Sequence, residues 1–264
     1  MNELNKKKYL NDALKGLEIE KNGTYTEYLK YVCEMSLELN IEHPYLYQYR
    51  GDNNYQKYIF ETIKHSKIWM KPMSEQNDPF EFFVNFVNFN DKSFTSEFNK
   101  YKSKLLISCF SEDYKNILMW SHYANKHQGC CLKYKTLDII NLFQLYLLPV
   151  QYTDKFINDD FIKNYPNIEE RIFNLALCAS TSKAYDWKYE KEWRIIRCFK
   201  DDIEMGCLQD FVKPVSIYLG LNAKEEFEFD MRGFCETHEI SLYKMLVDEP
   251  FYRFQEKLIY SPKN

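Results

Sequence analysis

Residues 107–132, ISCFSEDYKNILMWSHYANKHQGCCL, determine the architecture that we expect for this chain. The apolar start of this stretch predicts a strand, and Ser111 stands at the exposed end of that strand. Apolar and aromatic residues then recur every four positions, which indicates a helix. Gly129 ends the helix, and a second apolar run predicts another strand. We therefore expect a strand–turn–helix–strand unit whose turn carries polar side chains.

The rest of the chain alternates strand-like and helical patterns, without the regular spacing of a doubly wound sheet. Strands are predicted at 45–50, 67–70, 105–110, 130–134, 148–152, 192–199, 215–219 and 240–245. Helices are predicted at 53–65, 94–104, 114–127, 135–146, 167–184 and 223–236. These patterns indicate a single α+β core domain at 43–264, preceded by a helical N-terminal extension at 1–42.

The composition excludes several classes of nucleotide-binding protein. The 264 residues are 45% hydrophobic and 28% charged, which suffices for a sizeable buried core. They include 22 Tyr and 20 Phe but only 7 Gly, whereas average usage would give about 18 Gly. No GxxxxGK[ST] or GxGxxG segment occurs, so we do not expect a P-loop NTPase, a protein kinase or a Rossmann dehydrogenase. AT-rich codon usage explains most of the aromatic excess.

Charge and cysteine content predict a cytoplasmic protein without a metal site. The net charge of −4 and the pI near 5.8 argue against a dedicated nucleic-acid binder. The chain has no run of 18 apolar residues and no signal peptide, so we expect neither membrane contact nor export. Its eight cysteines include no CxxC pair, which favours reduced thiols. His122 and His127 would lie about 140° apart on a helix, so no zinc site is expected.

The first candidate motif is YLYQYRG at 45–51, which alternates like a strand and ends with Tyr49 and Arg50. It fits an edge strand of a tyrosine-rich protein. The functional alternative is an aromatic and cationic platform for a phosphate or a nucleotide.

The second motif is NDPFE at 77–81. It has the pattern of a helix start, with Asp78 as N-cap, Pro79 in the first turn and Glu81 in the capping-box position. The FFVNFVNF segment that follows could also form a strand.

The third motif is MWSHYANKHQG at 119–129, in which Met119, Tyr123 and His127 would form one row on a helix. Such residues usually pack in a core. A core alone does not explain the two histidines, nor Ser111 at the end of the preceding strand.

The fourth motif is DWKYEKEWRII at 186–196. On a strand, Glu190, Glu192 and Arg194 would share one face. That face could be a solvated row of paired charges, or a site for glycoside chemistry, metal binding or oxocarbenium stabilisation.

In this order, the four motifs resemble the pattern of a bacterial family, the domain of unknown function 2971. The resemblance covers roughly residues 45 to 260, and MWSHYANKHQG is its most specific part. The family itself implies no activity.

The same layout resembles, more distantly, the ADP-ribosyltransferases. Their fold has small mixed or antiparallel sheets that form a cleft, and it binds NAD without a GxGxxG loop. The resemblance implies that Tyr49 and Arg50 bind NAD, with Arg50 on a phosphate or ribose oxygen. It also implies that Ser111 holds the nicotinamide end and that Tyr123 or Trp120 stacks on the ring.

The resemblance further implies two catalytic carboxylates. Glu192 would hold the ribose and stabilise the positive charge on it, and Glu190 would orient or deprotonate the acceptor. The chain departs from the pattern in two places. Ser111 is followed by Glu112 and Asp113 instead of Thr and Ser, and NDPFE has no counterpart.

The sequence therefore predicts an NAD-dependent ADP-ribosyltransferase-like enzyme, acting as a toxin or phage-defence effector. Its acceptor would be a protein, a nucleic acid or a small molecule. Two other classes stay open. One is a non-catalytic nucleotide-sensing or partner-binding module, in which residues 1–42 contact a protein partner or a second copy. The other is a metal-dependent hydrolase or nuclease that uses Asp78, Glu81, Glu190 and Glu192.

Overall fold

A computed structural model describes residues 8, 39, 42–51, 56–143, 146–165 and 167–263 of the chain. The strands are β1 (Tyr45–Arg50), β2 (Lys67–Pro72), β3 (Val84–Asn85), β4 (Leu105–Ser111), β5 (Cys130–Lys135), β6 (Leu147–Pro149), β7 (Gln151–Thr153), β8 (Ile157–Asn158), β9 (Ser182–Ala184), β10 (Glu192–Cys198), β11 (Cys207–Asp210), β12 (Ser216–Leu219), β13 (Ser241–Val247) and β14 (Phe254–Tyr260). The α-helices are α1 (Gln56–Lys64), α2 (Lys92–Lys104), α3 (Ile117–Tyr123), α4 (Thr136–Phe143), α5 (Ile168–Ser180) and α6 (Glu225–His238). Short 3₁₀ helices occur at Met73–Glu75, Asp160–Asn164 and Tyr185–Glu190.

Ten of the described strands form one mixed sheet. Its continuous path runs β11-β2-β4-β1-β5-β12-β13-β14, and β10 and β6 are joined to it through β4. Most neighbours are antiparallel, but β12 and β13 pair in parallel and α6 connects them. The other four described strands form two two-stranded sheets, β3 with β8 and β7 with β9. Helices packed on a mixed sheet confirm the predicted α+β class.

The sheet forks at β4, because the two edges of this strand are used differently. One edge pairs with β10 over the whole length of β4. The other edge is shared between β2, which pairs near Ile107, and β1, which pairs at Ser111. Both β1 and β2 run antiparallel to β4, and they diverge between these two points. Where β1 diverges from β4, the side-chain amide of Gln48 on β1 still donates a hydrogen bond of 2.9 Å to Oγ of Ser108 on β4.

The two faces of β1, β5 and β12 pack in different apolar cores, because successive strand residues face opposite sides. Leu46, Leu132 and Ile217 belong to the larger core, which α2, α5 and α6 cover. Tyr47 and Trp120 belong to a smaller, tyrosine-rich cluster on the other side, covered by α3. The smaller cluster explains part of the aromatic content by packing. None of the described helices combines the length and the apolar character that crossing a membrane requires.

A left-handed turn joins α3 to β5. The sequence predicted a helix to residue 127, but α3 ends at Tyr123, and residues 125–127 have φ values of 46°, 51° and 68°. Gly129 follows this turn in tight contact with β1. A Cβ atom at Gly129 would lie 2.0 Å from the carbonyl oxygen of Arg50, so only glycine allows the turn to close against the end of β1.

The sequence was wrong about two local structures near the cavity described below. Residues 79–82 form a turn, so Asp78 does not cap a helix. Its Oδ1 accepts instead from the backbone N–H of Phe80, at 2.9 Å. Glu190 lies in a 3₁₀ helix rather than on the strand with Glu192. The predicted helical extension at 1–42 lies almost wholly outside the described residues and stays a prediction.

Candidate functional site

A cavity of about 410 Å³ opens at the fork between β1 and β2, a volume within the range of small-molecule sites. Strands β1, β2 and β4, helix α3 and the 3₁₀ helix Tyr185–Glu190 contribute to its walls. Six of the seven residues that the sequence indicated as site residues line it: Tyr49, Arg50, Ser111, Tyr123, Glu190 and Glu192. The fold thus brings together motifs that are widely separated along the chain.

Trp120, the seventh of these residues, does not line the cavity. Its side chain is fully buried in the smaller core, and its indole N–H donates to the carbonyl oxygen of Tyr114 at 2.7 Å. Because the ring is enclosed by protein, it cannot stack on a ligand in this cavity. Tyr123, on the next turn of α3, reaches the cavity instead.

The floor of the cavity is a buried ionic cluster centred on Lys183 of β9. Nζ of Lys183 lies 2.6 Å from Oε2 of Glu190, 3.2 Å from Oε2 of Glu192 and 3.3 Å from Oε1 of Glu81. None of these four side chains is more than 5% exposed. Charges buried from water are tolerated only when they are paired. Lys183 therefore holds three carboxylates from three separate segments in one place.

Arg194 of β10 completes the cluster. Its Nε and Nη2 bind the two oxygens of Glu192 at 2.8 and 3.0 Å, and its Nη1 lies 2.9 Å from Oε2 of Glu81. Nη1 also donates to the carbonyl oxygen of Ser180 at 2.6 Å. Three carboxylates thus face two cations, so the cluster carries a net charge of −1 when all five groups are ionised.

The environment separates the pKa values of the two carboxylates that line the cavity. Burial and the adjacent Glu192 raise the pKa of Glu190 to about 7, although Lys183 and Tyr123 act in the opposite direction. Burial also opposes the ionisation of Glu192, but Arg194 and Lys183 outweigh it and hold the pKa of Glu192 below its ordinary value. Glu190 can therefore exchange a proton near neutral pH, while Glu192 stays ionised.

Tyr123 links Glu190 to the open part of the cavity. Its hydroxyl donates a short hydrogen bond to Oε1 of Glu190 and accepts one of 3.2 Å from the side-chain amide of Asn77. Burial and the charge of Glu190 raise the pKa of Tyr123, so its hydroxyl stays protonated at neutral pH. A proton can pass from the cavity to Glu190 through this hydroxyl.

Ser111 supports the same region through the backbone. Its Oγ donates to the carbonyl oxygen of Glu190 at 2.6 Å and accepts from the backbone N–H of Asp113 at 3.1 Å. The sequence predicted an exposed Ser111, but its side chain is almost fully buried, because these hydrogen bonds hold it against the backbone of neighbouring segments. These bonds tie the end of β4 to the end of the 3₁₀ helix and fix the position of Glu190.

Tyr49 and Arg50 lie at the end of β1, and both line the cavity. The Tyr49 hydroxyl donates to the carbonyl oxygen of Asp113 at 2.7 Å. Nε of Arg50 donates to Oε1 of Gln48 at 3.1 Å. Burial, together with nearby Cys131 and Asp113, raises the pKa of Tyr49, so its hydroxyl is a structural donor and not an acid.

Sequence reasoning did not identify Lys183, and it misjudged the context of Glu81. The tight turn at residues 79–82 directs Glu81 and Phe82 into the protein, whereas Phe80 and Phe83 are exposed. The NDPFE motif was a usable signal for Glu81, because two acidic residues flank a Pro-Phe pair. Lys183 gave no local signal, since its three partners lie in other segments.

The metal-dependent hydrolase hypothesis finds no support in this geometry. Lys183 and Arg194 occupy the space between the carboxylates that a metal ion would need. Within the described ranges, no group of three or more His, Cys, Asp or Glu side chains is arranged to hold a metal.

Residues 119–195 match the model of the family described as Protein of unknown function (DUF2971). The match runs from α3 into β10, spans less than a third of the chain, and supports the resemblance seen in the motifs. It includes most of the site: Tyr123, Lys183, Glu190, Glu192 and Arg194. No curated protein and no solved structure matches the chain. The likeness to ADP-ribosyltransferases has no support from these comparisons and stays a proposal.

Proposed function

We propose that the chain is an NAD-consuming, ADP-ribosyltransferase-like enzyme whose active site is the cavity at the fork. The observation that carries this proposal is the convergence of Arg50, Tyr123 and the Glu190–Glu192 pair on one cavity. A carboxylate with a pKa raised close to neutral, inside a cleft, is typical of catalytic sites. Arg50 also lines the cavity, and its guanidinium can bind the diphosphate of a dinucleotide.

The proposed reaction transfers ADP-ribose from NAD to an acceptor. The bond between C1′ of the ribose and the nicotinamide nitrogen breaks, and its electron pair leaves with nicotinamide. A lone pair of the acceptor then forms the new bond to C1′. Tyr123 passes its hydroxyl proton to Glu190 and takes up the proton that the acceptor loses. Glu190 later releases that proton to solvent, so atoms and charges balance.

The ionic cluster stabilises the charge that develops during this reaction. C1′ becomes positive as nicotinamide leaves, and a cluster with net charge −1 in a water-excluded site lowers the energy of that state. Glu192 acts as a fixed anion, because Arg194 and Lys183 hold both of its oxygens. Glu190 is the group that moves a proton.

Nicotinamide release from NAD tests the proposal. We expect the wild-type chain to release nicotinamide. We expect the rate of release to fall by at least about 100-fold in Glu190→Gln and in Glu192→Gln. The control is Glu236→Gln, which changes an exposed carboxylate paired with Arg232 on α6. Circular dichroism checks that each variant is folded. The proposal fails if the wild type releases no nicotinamide with protein, RNA, DNA or water as acceptor, or if all variants match the wild type.

A second candidate, a non-catalytic nucleotide-sensing module, is favoured by one observation. Every carboxylate oxygen of Glu190 and Glu192 already has a hydroxyl or cationic partner. This candidate predicts saturable NAD binding by calorimetry with no nicotinamide release, whereas the enzyme proposal requires both. A role in toxicity or phage defence stays a prediction.

A further inference from the structure

We propose that Arg50 and Lys71 form an anion subsite at the fork and that Trp69 stacks on the base of the same ligand. The cavity would then select ligands that carry a diphosphate and a nucleobase, such as nucleoside diphosphates and dinucleotides. This inference rests on the proposed function only for the choice of cavity, and it extends that function by naming two further binding residues and the part of the ligand that each one binds.

Arg50 is a partly buried cation that forms no ion pair with any acidic residue in the described part of the chain. Its Nε is used by Gln48, at 3.1 Å from Oε1. Burial lowers the pKa of Arg50, and the groups that oppose this are Tyr134 and Cys130, not a carboxylate. A guanidinium that lines a cavity without a carboxylate partner gains strongly from a bound anion, because charge-assisted hydrogen bonds to phosphate then offset its desolvation.

Strand β2 contributes a second cation and an aromatic ring to the same cavity. Lys71 pairs opposite Ile107 of β4, and Trp69, two residues earlier, lies on the same face of β2. Both side chains are exposed, and Lys71 forms no ion pair with any residue that the structure describes. An exposed indole offers a flat surface for a nucleobase. Glu75 also lines the cavity, so the subsite has two cations against one carboxylate.

The register of β4 places the two charged ends of the cavity apart. Glu192 pairs opposite Ser111, and Lys71 pairs opposite Ile107, four residues along the same strand. Four strand residues span about 13 Å. The acidic cluster repels phosphate at one end, and the cations attract it at the other. A ligand with its negative charge on one side and an uncharged or cationic ring on the other aligns with this field.

Calorimetry on the full chain separates the contributions of these residues. The probes are ADP, adenosine and inorganic pyrophosphate, none of which needs to react. We expect Lys71→Ala to weaken ADP and pyrophosphate binding about 10-fold or more and to leave adenosine binding unchanged. Arg50→Lys, which keeps the charge but loses the guanidinium fork, should weaken the same two ligands. Trp69→Ala should weaken ADP and adenosine but not pyrophosphate.

The matched control is Lys257→Ala, which removes an exposed lysine of β14 that is not part of the cavity lining. We expect it to bind all three probes like the wild type. The inference is overturned if ADP does not bind the wild type, or if Lys71→Ala and Lys257→Ala bind ADP equally well. The outcomes also separate the two proposals. ADP binding that depends on Lys71, without NAD turnover, contradicts the enzyme proposal alone, and NAD turnover that is indifferent to Lys71 and Trp69 contradicts the subsite alone.

Discussion

Lys183 and Glu190 form a buried ion pair of 2.6 Å at the floor of the cavity, and both side chains are only 3% exposed. The same ammonium group contacts two further carboxylates. Three acidic residues therefore share one cation.

Replacing Lys183 with methionine should destabilise the fold strongly. The variant leaves three buried carboxylates with Arg194 as their remaining cation, and removing one partner of a buried ion pair costs about 3–5 kcal/mol. Lys191→Met is the matched control, because Lys191 pairs with Asp113 in a largely exposed position, where about 0–1 kcal/mol is at stake. Urea unfolding measures both variants. If both variants lose the same free energy of unfolding, the buried cluster contributes no more to stability than an exposed ion pair.

The free energy of unfolding should depend on pH through Glu190. Its pKa is raised in the folded chain, from an ordinary 4.5 to about 7, so the folded state binds more protons than the unfolded state between these values. Stability from this group is therefore lost as the pH rises from about 4.5 to about 7. The depressed pKa of Glu192 acts below this window, where stability is lost as the pH falls. Glu190→Gln should remove the slope between 4.5 and 7, and an unchanged slope would contradict the assignment.

Removing the hydroxyl of Tyr123 should raise the pKa of Glu190 further. The hydroxyl donates to Oε1 of Glu190 and favours its ionised form, and Tyr123→Phe loses this donor. A carbon NMR titration of labelled glutamate carboxyls follows the group directly. Tyr189→Phe, which removes a hydroxyl paired with His122 and not with Glu190, serves as the control. A midpoint that falls or stays constant in Tyr123→Phe would contradict the predicted direction.

Two glycine substitutions should have opposite effects on stability. Gly129→Ala places a methyl group 2.0 Å from the carbonyl oxygen of Arg50, and neither backbone can move easily, so we expect a loss of about 1–3 kcal/mol. Gly233, inside α6, has no atom within 4 Å of an added Cβ. Alanine there should stabilise the helix by up to about 1 kcal/mol. Thermal unfolding measures the stability of both variants. A Gly129→Ala variant as stable as the wild type would contradict the close contact between Gly129 and the carbonyl oxygen of Arg50.

The sequence identified the central elements because their signals are local. Strands β4 and β5 are apolar runs, and the row of residues every four positions marks α3. Strand β14, with the sequence FQEKLIY and four exposed positions in its middle, has no such signal and was not predicted. Residues 125–127 were predicted as helix, since their left-handed backbone depends on contacts with the distant loop after β12, where the N–H of Asn222 donates to the carbonyl oxygen of His127.

The candidate site was accessible from the sequence only in part. Glu190 and Glu192 were expected on one strand, and they meet for another reason. Lys191, between them, has a φ of 46° and turns the chain from the 3₁₀ helix into β10. The inward direction of Glu81 follows from ion pairs with Lys183 and Arg194, about a hundred residues further along the chain. Lys183 meets Glu190 and Glu192 because the chain turns back over the 3₁₀ helix that separates them from β9. No spacing rule reports such pairs, because each partner looks like an ordinary charged residue in its own segment.

A crystal structure of the Glu190→Gln variant grown with NAD would show whether the cavity at the fork is the active site. This variant keeps the shape of the side chain but should not turn the dinucleotide over. We expect the nicotinamide ribose beside Tyr123 and the substituted side chain at position 190, with the diphosphate between Arg50 and Lys71. NAD bound outside the fork between β1 and β2, or bound there with its diphosphate against the acidic cluster, would contradict this expectation.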